Sequence, residues 1–501
     1  MKETGISEKQ AKQNSICFPL GTLGRDMIYS LFTNYILLYV LFTHSLTDAQ
    51  LMAVTAVMVA ARVFDALNDP IMGNIIERTR TRWGKYKPWM VIGILTTSVV
   101  VYLAFNVRLE GWAFVAFFAV IYFAYSITYT MHDISYWGMI SALGSDSATR
   151  DMLTARTNLV AGVGGAVAGL LIPLLTTGEN ALGGSAQTAY GLVALVFVII
   201  APLFLAFTVF GVRENRSYMD TPAPPVSFKK ILSTIGGNRQ LLWISLIFLL
   251  QQMGADLITG GIGSTYIYFT FGYEGGLYSL FSTVGLSASA VLLLVYPMIS
   301  KKWHRKQLMT AFGAIAWAGY AVMLLAGLMM PVTMVKFWVL TIAFMFTQLG
   351  QNCFYMIMMI SILNTVEYNE YTRGSRDEAI ITSLRPFLTK LASAIVVALT
   401  SGAYLLFRVT DYTNRISDLE QAASIGTVTE AEKLTKIAQI IGEVTPGQST
   451  GLLCVLCLLP CALMLVSYFL YRRFYTLDEE TYAAIVAKLN DRAGGEQADA
   501  E

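Results

Sequence analysis

Twelve stretches of this chain are apolar over lengths that can cross about 30 Å of hydrocarbon, near residues 16–43, 49–76, 89–106, 112–142, 153–176, 188–211, 241–271, 276–300, 308–330, 335–363, 379–407 and 449–471. No soluble core can bury so many long runs, and in lipid every backbone N–H and C=O must be paired within its own segment or with a neighbouring strand. Runs of this length meet that demand as helices. Several exceed the usual span length and contain Gly, Pro or charge, which predicts tilt, kinks or cavity-facing positions. With 55% hydrophobic and only 14% charged residues, the expected fold class is an all-α polytopic membrane protein with twelve transmembrane helices in two six-helix halves. The polar start with its three lysines precedes an apolar run too long for a signal-peptide core, so the first run reads as a retained span.

The charges report topology. Lys2, Lys9 and Lys12 precede the first run; Arg78, Arg80, Arg82, Lys85 and Lys87 fall between the second and third; Arg150 and Arg156 lie near the start of the fifth; Lys301, Lys302, Arg305 and Lys306 fall between the eighth and ninth. The alternate loops are nearly free of Lys and Arg until the last, which places both termini in the cytoplasm. A formal charge of +2, with the bases in short clusters, argues against nucleic acid as a partner. The polar, proline-bearing segment 212–240 divides the runs six and six, so the expected organisation is an N-terminal half at 1–211, a cytoplasmic linker at 212–240, a C-terminal half at 241–474 and a cytoplasmic tail at 475–501. GNIIERTR from residue 73 and PMISKKWHRK from residue 297 occupy corresponding places in the halves. Two six-span halves around a midplane site make a transporter architecture. The 408–448 loop is expected outside, with one small surface helix around Asp418 to Gly442.

Charge inside the runs is the second constraint. Arg62, Asp65 and Asp69 are spaced three and four apart and share a helix face. An ionised side chain at mid-membrane costs about 2.5–3.5 kcal/mol on insertion scales. An Arg62–Asp65 pair that only fastens helices accounts for one carboxylate and leaves Asp69 over. Span one carries Arg25 and Asp26. Span four carries Tyr129, Thr130, His132, Asp133 and Trp137, of which Thr130, Asp133 and Trp137 share a face. A hydroxyl, a carboxylate and an indole together suit a sugar, whose hydroxyls donate to the carboxylate while the ring's C–H side lies on the aromatic face. His132 points elsewhere and reads as packing. Lys390, about a dozen residues into span eleven, needs an anionic partner or snorkels to an interface. The five cysteines all lie in apolar runs and behave as small hydrophobes. The cysteines imply no metal site or disulfide framework; no nucleophile elbow, HExxH, Walker A or Rossmann pattern stands in a plausible context, so the chain is not expected to be an enzyme, and the charged midplane argues against a non-transporting sensor.

FDALNDPIMG followed by ERTRTRWGKYKPW resembles the signature of the glycoside–pentoside–hexuronide:cation symporter family, within the major facilitator fold. The likeness covers nearly the whole chain, through YTMHDISYW in span four, NTVEYNEYTRGSRDEAI after span ten and LTK in span eleven. The resemblance implies a cation site of Asp65, Asn68, Asp69 and Thr130, with Asp133. It implies sugar contacts at Asp26, Tyr129, Asp133, Trp137 and Arg156, with Tyr355 and Lys390 from the second half, and coupling or gating roles for Arg62, Arg80, Arg82, Glu367 and Arg376. The chain departs from the family pattern at Arg25 (lysine there), Ser135 (proline), Tyr355 (tryptophan), Asn364 (aspartate) and in its longer 408–448 loop. The expectation is a symporter of the bacterial cytoplasmic membrane that imports a glycoside with Na⁺ or H⁺, acts as a monomer and needs no other cofactor. The alternative is a cation-coupled carrier of another solute, such as a lysolipid or an organic anion.

Overall fold

A computed structural model describes residues 8–143, 147–214 and 228–498. Lys2 and residues 215–227 of the 212–240 linker lie outside them. Among the described residues, eleven helices are long and apolar enough to span a membrane: Lys9–Thr43, Lys87–Asn106, Gly111–Leu143, Thr149–Thr176, Ala186–Gly211, Arg239–Phe271, Gly275–Ile299, Arg305–Met329, Met334–Arg373, Ile380–Leu406 and Pro446–Phe474. A bent pair, Asp48–Asp65 with Asn68–Arg78, supplies the twelfth. Taken in chain order these are spans one to twelve, and each apolar run of the sequence has its helix.

The ends of the spans follow local chemistry. Thr47 and Gln50 form a reciprocal capping box at the start of span two, Ser185 caps span six through the Thr188 N–H, and Asn238 caps span seven through Leu241. Two irregularities matter for function. The halves of span two meet at 41°, and the cause is Pro70, which has no N–H to offer the carbonyl four residues earlier and crowds it. Span one changes to a π-helical turn over Ser30–Asn34, an irregularity often found at functional sites.

The chain forms two compact units. One comprises Met1–Pro225, Ser264–Thr283 and Val397–Gln448; the other comprises Val226–Gly263, Val284–Val396 and Ser449–Glu501. The first unit therefore holds spans one to six together with pieces of chain from beyond the linker. Within it, the connections after spans one, three and five share one end, here the distal end, and those after spans two and four share the other, the basic end.

The 408–448 segment is not one surface helix. It is a hairpin of two helices, Val409–Ser424 and Glu430–Gly442, turned at Gly426, whose φ of 76° suits a residue without a side chain. One face of each helix is buried, including Ile416, Glu420, Lys433 and Ile437. A charged, helix-friendly stretch reads as solvated because composition does not show that its charges pair with each other.

Candidate transport site

Spans one, two and four of the first unit bring the sequence-selected polar residues together. On span four, Ser126, Thr130, Asp133 and Trp137 follow one another at spacings of four, three and four, which keeps them on one face. Span two presents Asp65 and Asp69 on either side of its bend, and span one presents Arg25 and Asp26 just before its π-helical turn.

Arg25 is the hub. Its Nη2 donates to Asp26 at 2.8 Å and its Nη1 to Asp133 Oδ1 at 3.0 Å. Its guanidinium carbon lies 5.3 Å from the Trp137 ring and 5.5 Å from that of Tyr136, within cation–π range. The Arg25 side chain is only 4% exposed, whereas that of Asp133 is 37% exposed. The carboxylate thus keeps acceptor sites open to a ligand while the arginine holds it in place. Trp137 is half-buried beside it.

A second set lies around the bend of span two. The Ser126 hydroxyl donates to Asp65, and Thr130 donates to Asp69 at 3.3 Å. The amide nitrogen of Asn68 is buried without a hydrogen-bond partner, an arrangement that a protein rarely leaves without a ligand or water to answer it. Hard oxygen donors of this kind, two of them charged, suit Na⁺ or a proton. Arg62, buried among Tyr29, Tyr122, Tyr125 and Asp65, lies beside them. Tyr125 stacks on Phe32 with ring centroids 3.7 Å apart and on Tyr129 at 5.3 Å, and Tyr29 meets Tyr129 at 5.4 Å. This aromatic column joins the two sets. Arg25 and Arg62 stand among Asp26, Asp65, Asp69 and Asp133 in a region where charge is costly.

Arg156 donates to Ser15 Oγ at 3.0 Å. His132 is fully buried with Nδ1 2.9 Å from the Met90 carbonyl, which is a packing role. Arg80 donates to the Glu77 and Thr79 carbonyls at 2.6 and 3.0 Å, and Arg82 is exposed. In the second unit, the Tyr355 hydroxyl accepts from Arg385 at 3.1 Å, Lys390 is half-buried on span eleven, and Arg376 bridges Glu367, Glu370 and Glu378 at 2.9, 3.1 and 3.1 Å. Cys454, Cys457 and Cys461 are free thiols.

Ser126, Arg25 and Arg385 make polar contacts that the sequence did not assign. Ser126 sits one turn before Thr130 on the same face, and that spacing could have found it. Arg25 was visible as a departure from the family pattern, but its bridge from Asp26 to Asp133 spans 108 positions of sequence and has no local signal. Arg385 lies in an apolar helix five residues before Lys390, and the same cost argument that selected Lys390 applies to it.

The sequence model of the family described as MFS/sugar transport protein matches residues 17–479. The lactose permease of Leuconostoc lactis is 28% identical over 77% of this chain, which spans 62% of that relative's length. The lactose permease of Lactobacillus helveticus is 25% identical over 95% of this chain and 71% of its own, and the raffinose carrier protein of Pediococcus pentosaceus is 24% identical over 95% and 71%. Among solved structures, a bacterial homolog of the human lysosomal transporter Spinster, inward-facing and unoccupied, superposes with a TM-score of 0.62 at 15% identity, over 93% of this chain and 98% of that one. A D-xylose–proton symporter gives 0.59 at 12% identity, over 88% and 99%. The fold is that of the major facilitators.

Proposed function

The chain belongs to the MFS/sugar transport protein family, and from that premise we propose that it is a cation-coupled sugar symporter. Its substrate is a glycoside of about disaccharide size, as the names of the lactose and raffinose carriers suggest, and its coupling ion is Na⁺ or H⁺. The observation that carries this reading is the separation of the carboxylates into two sets. Asp65 and Asp69, with Asn68, Ser126 and Thr130, offer oxygen donors suited to a small cation. Asp26 and Asp133, steadied by Arg25 and flanked by Trp137, suit the hydroxyls and the C–H face of a sugar.

The mechanism follows from the two sets of carboxylates. A cation at Asp65 and Asp69 neutralises the bend of span two, and the Tyr125–Tyr129 column transmits the adjustment to Asp133 on the same helix face. Sugar hydroxyls then donate to the open acceptor sites of Asp133 and Asp26 while the Trp137 indole covers the ring. Each ligand favours the arrangement that the other needs, which is reciprocal coupling. Loading permits the passage to the other side, and Arg62, Arg80, Arg82, Glu367 and Arg376 act in that passage or its gating. The basic end faces the cytoplasm of a bacterial cell, with both termini on that side, the distal end faces outward, and a single chain is the working unit.

The test is uptake of labelled lactose, raffinose and simple methyl glycosides into vesicles under a Na⁺ gradient, a proton gradient or neither. Accumulation above the external concentration under one of the gradients is expected. Uptake of none of these glycosides, or uptake that no cation gradient drives, overturns the reading.

A further inference from the structure

The distal end of the first unit is closed by chain that comes from the other side of the linker. Asn414 binds Leu46 through both backbone groups, accepting from its N–H at 2.9 Å and donating to its carbonyl at 2.8 Å. Gln421 donates to the Thr43 carbonyl at 3.0 Å, Thr410 donates to Asp48 at 3.3 Å, and Ser424 donates to Gln187 at 2.9 Å. The hairpin 409–442 thus holds the end of span one, the starts of spans two and six, and the connection before span six. Just beneath it, Thr55 of span two donates to Ser401 of span eleven at 2.8 Å.

At the centre of these contacts is an ion pair out of reach of water. Glu420 and Lys433, one from each hairpin helix, lie 3.2 Å apart with both side chains 0% exposed. Glu420 Oε2 also accepts from the Ala186 N–H at 2.6 Å, and Lys433 donates to the Gly184 carbonyl at 2.8 Å. The 178–186 connection meets them through Gly183 and Gly184, both at positive φ (74° and 76°), where a side chain would strain the backbone. The buried Tyr273 hydroxyl also faces the Glu420 carboxylate. Where span eleven passes into the hairpin, Arg408 takes φ 51°, a conformation that is costly for a residue with a side chain and that persists only when its surroundings impose it.

We propose that the 409–442 hairpin is a clasp that holds the distal end shut, with Glu420 and Lys433 as its latch, and that it lets go in each transport cycle. The proposal rests on the alternating-access reading above. Spans eleven and twelve lead into and out of the hairpin, while its grip is on spans one, two and six. Any movement that opens the distal end must therefore break the hairpin's bonds or carry spans one, two and six with it. An ion pair sealed from water makes the grip all-or-none, because losing one partner strands the other charge where nothing solvates it. The Arg408 junction supplies a point at which the hairpin can turn when the grip is lost.

Nitroxide labels at Leu182→Cys and Thr427→Cys, in the full chain reconstituted in lipid, report the distance across the latch. A single short distance is expected for the parent. Lys433→Met is expected to raise the population at longer distance about fivefold or more, the low end of typical coupling energies. Because Lys433→Met strands a carboxylate and can fail to fold, Glu420→Gln is the second variant: it keeps the acceptor for Ala186, loses the charge, and is expected to move the distribution the same way. A lowered melting temperature with an unchanged distribution in Glu420→Gln identifies a brace that never opens and overturns the proposal. Independently, oxidation of Thr55→Cys/Ser401→Cys is expected to lower glycoside uptake by at least about tenfold, a shift of 1.4 kcal/mol, with full recovery in reductant. Formation of that disulfide with unchanged uptake also overturns it. If the parent moves no glycoside at all, the transport reading fails, and the label distances still decide whether the clasp opens.

Discussion

The first unit contains two ion-pair systems withdrawn from water, and they are built for opposite purposes. In the hairpin, one carboxylate meets one ammonium, both are sealed, and backbone groups of the 184–186 segment complete the shell. Burial pushes the Glu420 carboxyl above its ordinary range against the pull of Lys433. In the membrane, Arg25 is also buried, but the carboxylates it holds are 17% and 37% exposed, and Asp65 and Asp69 nearby accept from the hydroxyls of Ser126 and Thr130. A system that is balanced and dry holds a shape. One whose carboxylates keep acceptor sites open is suited to a ligand. The arrangement of the partners, more than the presence of buried charge, separates a structural pair from a binding site.

The sharpest way to break that distinction is to remove a waiting carboxylate. Asp69→Asn is expected to abolish accumulation of sugar against its gradient while exchange of sugar at equilibrium remains, because the cation site loses a charge and the sugar set is untouched. If the variant still concentrates sugar as well as the parent, Asp69 is a structural group and the contrast with Glu420 fails.

The sugar set should respond by degrees. Asp133→Ala removes an acceptor and strands part of Arg25, and Trp137→Ala removes the aromatic cover. Each is expected to weaken sugar binding by about 1–3 kcal/mol, roughly 5- to 150-fold, as measured by calorimetry on the purified protein. Unchanged affinity in both variants moves the sugar elsewhere.

Ser126→Ala sharpens the comparison further, since it removes a donor to Asp65 and no charge. The expected loss of cation affinity is about 0.5–1.5 kcal/mol, seen as a higher cation concentration for half-maximal sugar binding with the sugar affinity at saturating cation unchanged. A fall in sugar affinity that saturating cation does not restore would place Ser126 in the other set.

These two systems also mark how far the sequence could be read. The spans were legible because hydropathy integrates over some twenty residues and each helix satisfies its own backbone. Asp65, Asp69, Asp133 and Trp137 were legible because polar groups stand out within apolar runs and helical spacing fixes which of them share a face. The hairpin was not. Glu420 and Lys433 lie in a stretch already rich in charge, so nothing distinguished the two that are buried from neighbours such as Glu430 and Lys436 that are exposed. Their partners, Gly184 and Ala186, are more than two hundred positions away. The same holds for the Arg25–Asp133 bridge. Local periodicity shows which residues face inward, and pairing across distant helices needs the fold.

The smallest effect on binding is expected at the basic end. Arg80 bonds to the carbonyls of its own turn, at Glu77 and Thr79, and Arg82 is exposed. Exposed charges exchange energies of a kilocalorie or less with their neighbours. Their position at the basic end of span two, where Lys85 holds Glu77 at 2.8 Å, makes them sensitive to contacts that form and break when the spans move. The paired change Arg80→Glu and Arg82→Glu is therefore expected to slow translocation while equilibrium sugar affinity shifts by less than about tenfold, or 1.4 kcal/mol. Rates of counterflow and calorimetric affinities on the same preparation separate the two quantities. A correctly inserted variant with normal counterflow and a large loss of affinity would show that the loop's charge reaches the Arg25 hub, and would erase the division of labour between the basic end and the midplane.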